Sequence, residues 1–172
     1  AARDVAANPT ILSGATARAG SAAYHVVALN GLSNARLDGF TITGGAASSG
    51  SIPNNLGGGI YCASLDATNT IAQCLISGNS AASYGGGIAG TLSAPLLENC
   101  QISANSAPNG GGLYFSSLAP AMTDCTVSSN TASASGGGLY LASSAVRLSR
   151  CTVSGNSALT GAGLYGTSAS PV

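Results

Sequence analysis

Two short motifs alternate along most of this chain, and the alternation leaves few folds open. Cys74-Leu-Ile-Ser-Gly-Asn79, Cys100-Gln-Ile-Ser-Ala-Asn105, Cys125-Thr-Val-Ser-Ser-Asn130 and Cys151-Thr-Val-Ser-Gly-Asn156 align without gaps, their cysteines 26, 25 and 26 residues apart. Between them stand Gly57-Gly-Gly-Ile-Tyr61, Gly85-Gly-Gly-Ile-Ala89, Gly110-Gly-Gly-Leu-Tyr114, Gly136-Gly-Gly-Leu-Tyr140 and Gly161-Ala-Gly-Leu-Tyr165. Self-similarity at such a period marks a solenoid or another stacked repeat. An earlier copy reads Leu37-Asp-Gly-Phe-Thr-Ile-Thr-Gly-Gly45, with Phe40 in the Cys position, Ile42 in the Ile position and Gly45 in the Asn position. Looser copies lie in Asn8–Gly14 and Tyr24–Leu29.

The local pattern is that of strands. In Cys100-Gln-Ile-Ser103 apolar and polar residues alternate, so Cys100 and Ile102 face one way and Gln101 and Ser103 the other. Ile71, Leu97, Met122 and Leu148 stand three positions before each Cys and mark another strand, with a bend between. The Gly-Gly-Gly-Leu-Tyr motif reads as a third. Three short strands per coil, about six coils of roughly 25–26 residues and parallel ladders between coils predict an all-β, right-handed parallel β-helix. Ile76, Ile102, Val127 and Val153 are the expected buried column. A leucine-rich repeat has a similar period. It needs a helical return, and Ser-Ala-Pro-Asn-Gly-Gly-Gly112 is a poor helix former.

Composition narrows the function classes. Net charge is zero, only 6% of residues are charged and the five basic residues are scattered Arg, so a nucleic-acid surface is excluded. No apolar run approaches the ~18–20 residues of a transmembrane helix, and no basic–apolar signal peptide opens the chain. A start at Ala1-Ala2-Arg3 suggests a mature product or an excised fragment. Gly, Ala and Ser are abundant, but an apolar share of 45% is too high for a disordered linker.

The pairing of Gly-Gly-x-Ile/Leu with x-x-x-Asn resembles the polymorphic outer-membrane protein repeat of bacterial surface proteins, with Ile or Val where that family usually has Phe. Leu37–Gly45 resembles the pectate-lyase-like β-helix regions of large secreted bacterial proteins. The likeness covers about residues 8–166. It implies a secreted or cell-surface bacterial setting, outer-membrane association through flanking regions included. Its functional range runs from adhesin stalks and autotransporter passengers to carbohydrate-active enzymes.

Stacking turns equivalent residues into columns that can be read one at a time. Asn79, Asn105, Asn130 and Asn156 are expected at a turn, where Asn tolerates left-handed φ/ψ and stacked amides bond along the ladder. Cys74, Cys100, Cys125 and Cys151 face inward. A linear stack cannot converge on tetrahedral zinc, and parallel Cβ vectors stand further apart than a disulfide prefers. The thiols therefore read as small hydrophobes, and no metal or other cofactor is expected. Cys62 lies on a different strand. Asp124 and Arg150 are expected to form a surface ion pair. Asp38 and Glu98 fall in one column with Ala72 between them, a spacing at the edge of a glycosidase pair, with no further acid or Arg joining them. The family's polysaccharide lyases use acid clusters with a basic residue, whereas the acids here are dispersed. His25 has no evident partner, so no catalytic residue is named.

Two outward columns are binding candidates. Tyr61, Tyr114, Tyr140 and Tyr165, with Ala89 as a gap, form an aromatic column that either holds sugar faces or braces the sheet. Thr41, Thr43, Thr126, Ser128, Thr152 and Ser154 belong to a hydroxyl face interrupted by Leu75 and Gln101; it resembles the threonine arrays of ice-binding β-helices.

The chain is expected to be one domain over 1–172: less regular coils to residue 45, a loop insertion of about six extra residues over 46–56, and regular repeats over 57–166. With no capping helix and an end at Ser170-Pro-Val172, it is expected to belong to a longer protein or to stack end to end. The first functional reading is a non-enzymatic surface or adhesin-like scaffold. Ice binding and a polysaccharide-active enzyme are the alternatives. The partner is unknown, with carbohydrate, a host or neighbouring cell surface, ice or the chain itself as candidates.

Overall fold

The computed structural model describes residues 8–118 and 120–167, so Ala1-Ala2-Arg3 and Ser170-Pro-Val172 lie outside the described residues. Every strand pairs in parallel with its copy one repeat away, giving four sheets. The Cys sheet has six strands: Thr10–Ser13, Phe40–Thr43, Leu75–Ser77, Gln101–Ser103, Thr126–Ser128 and Thr152–Ser154. The Tyr sheet also has six: Val27–Asn30, Ile60–Ala63, Ile88–Thr91, Leu113–Ser116, Leu139–Ala142 and Leu164–Thr167. The Arg sheet has five: Arg36–Asp38, Thr70–Ala72, Leu96–Glu98, Ala121–Thr123 and Arg147–Ser149.

The fourth sheet departs from the three-strand expectation. Ala46–Ala47, Ser80–Ala81, Ser106–Asn109 and Thr131–Ser135 form it, directly after the Asn position of each coil. Its inward residues Ala47, Ala81 and Ala107 make a small core of their own. The strands are short and built of Ser, Ala and Pro, residues that ordinarily read as turn.

Each coil bends at left-handed residues, and these too stack. Gly31, Ser64, Leu92, Ser117 and Ser143 follow the Tyr-sheet strands; Gly39, Gln73, Asn99, Asp124 and Arg150 separate the Arg and Cys strands; Gly44, Gly78, Ala104, Ser129 and Gly155 follow the Cys strands. All have positive φ. The left-handed residue at the third bend therefore precedes the Asn, which corrects the expectation that Asn itself adopts that conformation. The fourth bend is glycine throughout: Gly57, Gly85, Gly110, Gly136 and Gly161. There φ is positive and a Cβ would also strike a backbone carbonyl; on Gly85 it would stand 2.3 Å from the Ile88 oxygen.

The core runs along the axis. Ile42, Ile76, Ile102 and Val127 are fully buried in register, and Val153 is the half-buried last member. Ile60, Ile88, Leu113 and Leu139 face them from the Tyr sheet, and Ile71, Leu97 and Met122 from the Arg sheet. The insertion is narrower than expected. Ala46–Ala47 is strand and Leu56 is buried against Tyr84, so the excursion is confined to 48–55, with Ile52 at its exposed tip.

Candidate functional site

The Asn column is interior. Asn79, Asn105 and Asn130 are buried, and each side-chain amide donates to the next Oδ1 at 3.0–3.1 Å, ending on Asn156. The same Oδ1 atoms accept the preceding coil's backbone N–H, and the amide nitrogens also donate to the Ile42, Ile76, Ile102 and Val127 carbonyls. Gly45 enters the ladder through its N–H on Asn79 Oδ1, 3.0 Å. Buried amides gain from bonding because unpaired ones cost about 1–3 kcal/mol each. The column holds coils together and offers nothing to a ligand.

The Cys column also faces inward, among free thiols packed into the main core. Each S–H lies near the carbonyl two residues back and another in the preceding coil, as with Cys100 and the Glu98 and Ile71 oxygens. Cys62 is fully buried on the Tyr sheet, and burial pushes its thiol up to about 12.

The Tyr column is a ladder from Tyr84 to Tyr165, and its first ring comes from outside the motif. Tyr84 projects into the Ala89 gap and lies 4.5 Å from the Tyr114 ring, and Tyr114–Tyr140 and Tyr140–Tyr165 follow at 5.8 and 5.2 Å. Ala89 is fully covered as a result. Tyr61 is nearly buried, stacked on the His25 ring at 5.1 Å, and its hydroxyl bonds Thr91. His25 has partners after all, with Nδ1 3.0 Å from the Gly57 oxygen. The partly buried Tyr84, Tyr114, Tyr140 and Tyr165 rings lean on one another, as in an aromatic ladder that braces a sheet.

The hydroxyl face lies on the outside of the Cys sheet. Ser77, Ser103, Ser128 and Ser154 stand in register, and Ser13 pairs with Thr43 at the N-terminal end. The adjoining column reads Ile11, Thr41, Leu75, Gln101, Thr126 and Thr152. Its first four residues line an open groove of about 780 Å³ together with Pro9 and Phe40. Thr126 and Thr152 alone continue it as threonine.

The acids among the described residues are drawn into ion pairs and caps. Arg36 donates from Nε to Asp38 at 2.8 Å and reaches Glu98 at 3.5 Å. The two carboxylates therefore share a guanidinium, contrary to the expectation that no Arg joins them; Arg36 is on their own sheet, two residues before Asp38. Arg150 grips Asp124 with both oxygens at 2.7 and 2.8 Å and holds its carboxyl below the usual range. Asp66 accepts from the Thr68 hydroxyl and backbone and from Asn69, which lowers it as well.

Among the described residues no helix is long and apolar enough to cross a membrane. No curated protein and no solved structure matches the chain. A family does: residues 18–172 match the right-handed β-helix region. With parallel coils, stacked sheets and that match over most of its length, the chain belongs to the right-handed β-helix family.

Proposed function

We propose that this domain is a non-enzymatic scaffold of a secreted or cell-surface bacterial protein, adhesin-like in use. The observation that carries the reading is the fate of the acids. Asp38 and Glu98 share Arg36, Asp124 is clamped by Arg150, and Asp66 caps a turn. General acid–base work on a glycosidic bond needs two carboxylates flanking the substrate with pKa values pushed apart. Here Asp38 and Glu98 lie in one column of one sheet and share a single guanidinium, rather than facing each other across a substrate. The ladders favour stiffness, and the excursion at 48–55 is a loop on that scaffold with Ile52 exposed. The test is retention of polysaccharide or whole bacterial and host cells on the immobilised domain, with chain length of any bound polysaccharide followed by size exclusion. Retention without shortening is expected, weakened by trimming 48–55. Shortening would overturn the reading.

Ice binding is kept as a second reading on one observation, the hydroxyl column of the Cys sheet. It expects thermal hysteresis in a nanolitre osmometer, reduced when Thr126 and Thr152 become bulky charged residues. No hysteresis would remove it.

A further inference from the structure

The inward cysteines are the reactive groups that a scaffold role leaves unused. Cys74, Cys100 and Cys125 are 1–2% exposed, and Cys151 is half-buried in the last described coil. They form one column because the residues after them pair directly: Leu75 with Gln101, Gln101 with Thr126, Thr126 with Thr152. Neighbouring strands lie about 4.8 Å apart. A tetrahedral ion needs four converging ligands and finds none in a line. A two-coordinate ion needs only two sulfurs on opposite sides. With a thiolate–metal bond of about 2.3 Å, those sulfurs stand about 4.6 Å apart, the separation that adjacent coils supply. Strand side chains stand roughly perpendicular to their sheet while the ion would lie along the ladder, so the carbon–sulfur–metal angle is near ~90°, the bent geometry sulfur favours.

We infer that neighbouring cysteines of this column form buried two-coordinate sites for a soft ion, Cu(I), Ag(I) or Hg(II), one between Cys74 and Cys100 and one between Cys125 and Cys151. Thiolates select such ions over hard ones. The middle gap stays empty, because a sulfur bridging ions above and below would have to be straight. Loading with Hg(II) replaces two S–H bonds with two S–Hg bonds and releases two protons to solvent. The product is neutral, so its burial strands no charge. Cu(I) or Ag(I) reaches neutrality with one thiolate and one thiol, releasing one proton. The Cys125–Cys151 pair has one half-buried member, Cys151, whereas Cys74 and Cys100 are both buried.

The test is anaerobic titration of the reduced full chain with Hg(II), and separately Ag(I), followed by thiolate-to-metal ultraviolet absorption, proton release and native mass spectrometry. Two ions per chain and two protons per Hg(II) are expected, with Zn(II) excluded. Cys100→Ala should lose one ion, Cys100→Ala with Cys125→Ala both, and Cys62→Ala neither. X-ray absorption on the loaded wild-type chain reads the site without any variant and should find two sulfurs per ion. Three or four sulfurs, binding that appears only on unfolding, or unchanged stoichiometry in the folded double variant would overturn the inference.

Discussion

The side-chain nitrogen of Asn105 lies 2.9 Å from the point where a Cβ on Gly87 would stand. Asn130 meets Gly112 at 3.0 Å and Asn156 meets Gly138 at 3.0 Å in the same way. The two repeat motifs therefore alternate because they touch: the glycines bring the backbone close enough for the amide ladder to pass. Gly87→Ala also drives a Cβ to 2.7 Å from the Gly112 oxygen. We expect it to cost about 2–4 kcal/mol, by overpacking and by displacing the amide. Asn105→Ala should cost about 3–5 kcal/mol, since it takes the acceptor from the buried Asn79 N–H, one of several acceptors from the Asn79 amide and a donor from the Ile76 carbonyl, and leaves a cavity. Asn156→Ala, at a half-buried position, should cost less. Urea unfolding of the three variants checks the order.

Gly90 and Phe115 are a size-matched pair. A Cβ on Gly90 would stand 2.2 Å from Cε1 of Phe115, a ring that is fully buried and has nowhere to turn. Gly90→Ala alone should destabilise by about 1–3 kcal/mol. Adding Phe115→Leu should recover part of that loss, giving a non-additive double-mutant cycle. Additive losses would show that the two positions do not compete for space.

Strands whose alternation is visible, such as Gln101–Ser103, could be read directly, as could the inward Ile column and the Cys stack. The alternation failed where the residues do not alternate. Ser80–Ala81 is too short to show a period, and Ser106–Asn109 contains Pro108. The bends were hidden because left-handed positions carry types as different as Gln73, Leu92 and Arg150, where stacking rather than propensity sets φ. Arg36 escaped notice because it meets Glu98 across two coils through the reach of its side chain, not through a shared column. Tyr84 lies outside both motifs, so only the coordinates place it in the Ala89 gap.

Cys62 predicts an alkaline weakness. Its thiol is raised from 9.0 to about 12 by burial. A raised folded-state pKa means that stability is full below the unfolded value and falls as pH rises through the folded one. The loss should therefore run from about pH 9 to pH 12 and amount to roughly 3–4 kcal/mol. Cys62→Ala should flatten that part of the stability profile relative to wild type, whatever the tyrosines contribute to both. Identical slopes in thermal melts across this range would contradict it.

The most direct measurement of the scaffold account is turnover. Purified domain is incubated with plant, algal and bacterial polysaccharides, and release of reducing ends is followed beside Glu98→Gln and Arg36→Ala. With Asp38 and Glu98 tied to one guanidinium, no release above buffer is expected from any of the three proteins. Release by the wild-type domain that Glu98→Gln abolishes would contradict the account and make this column an active site.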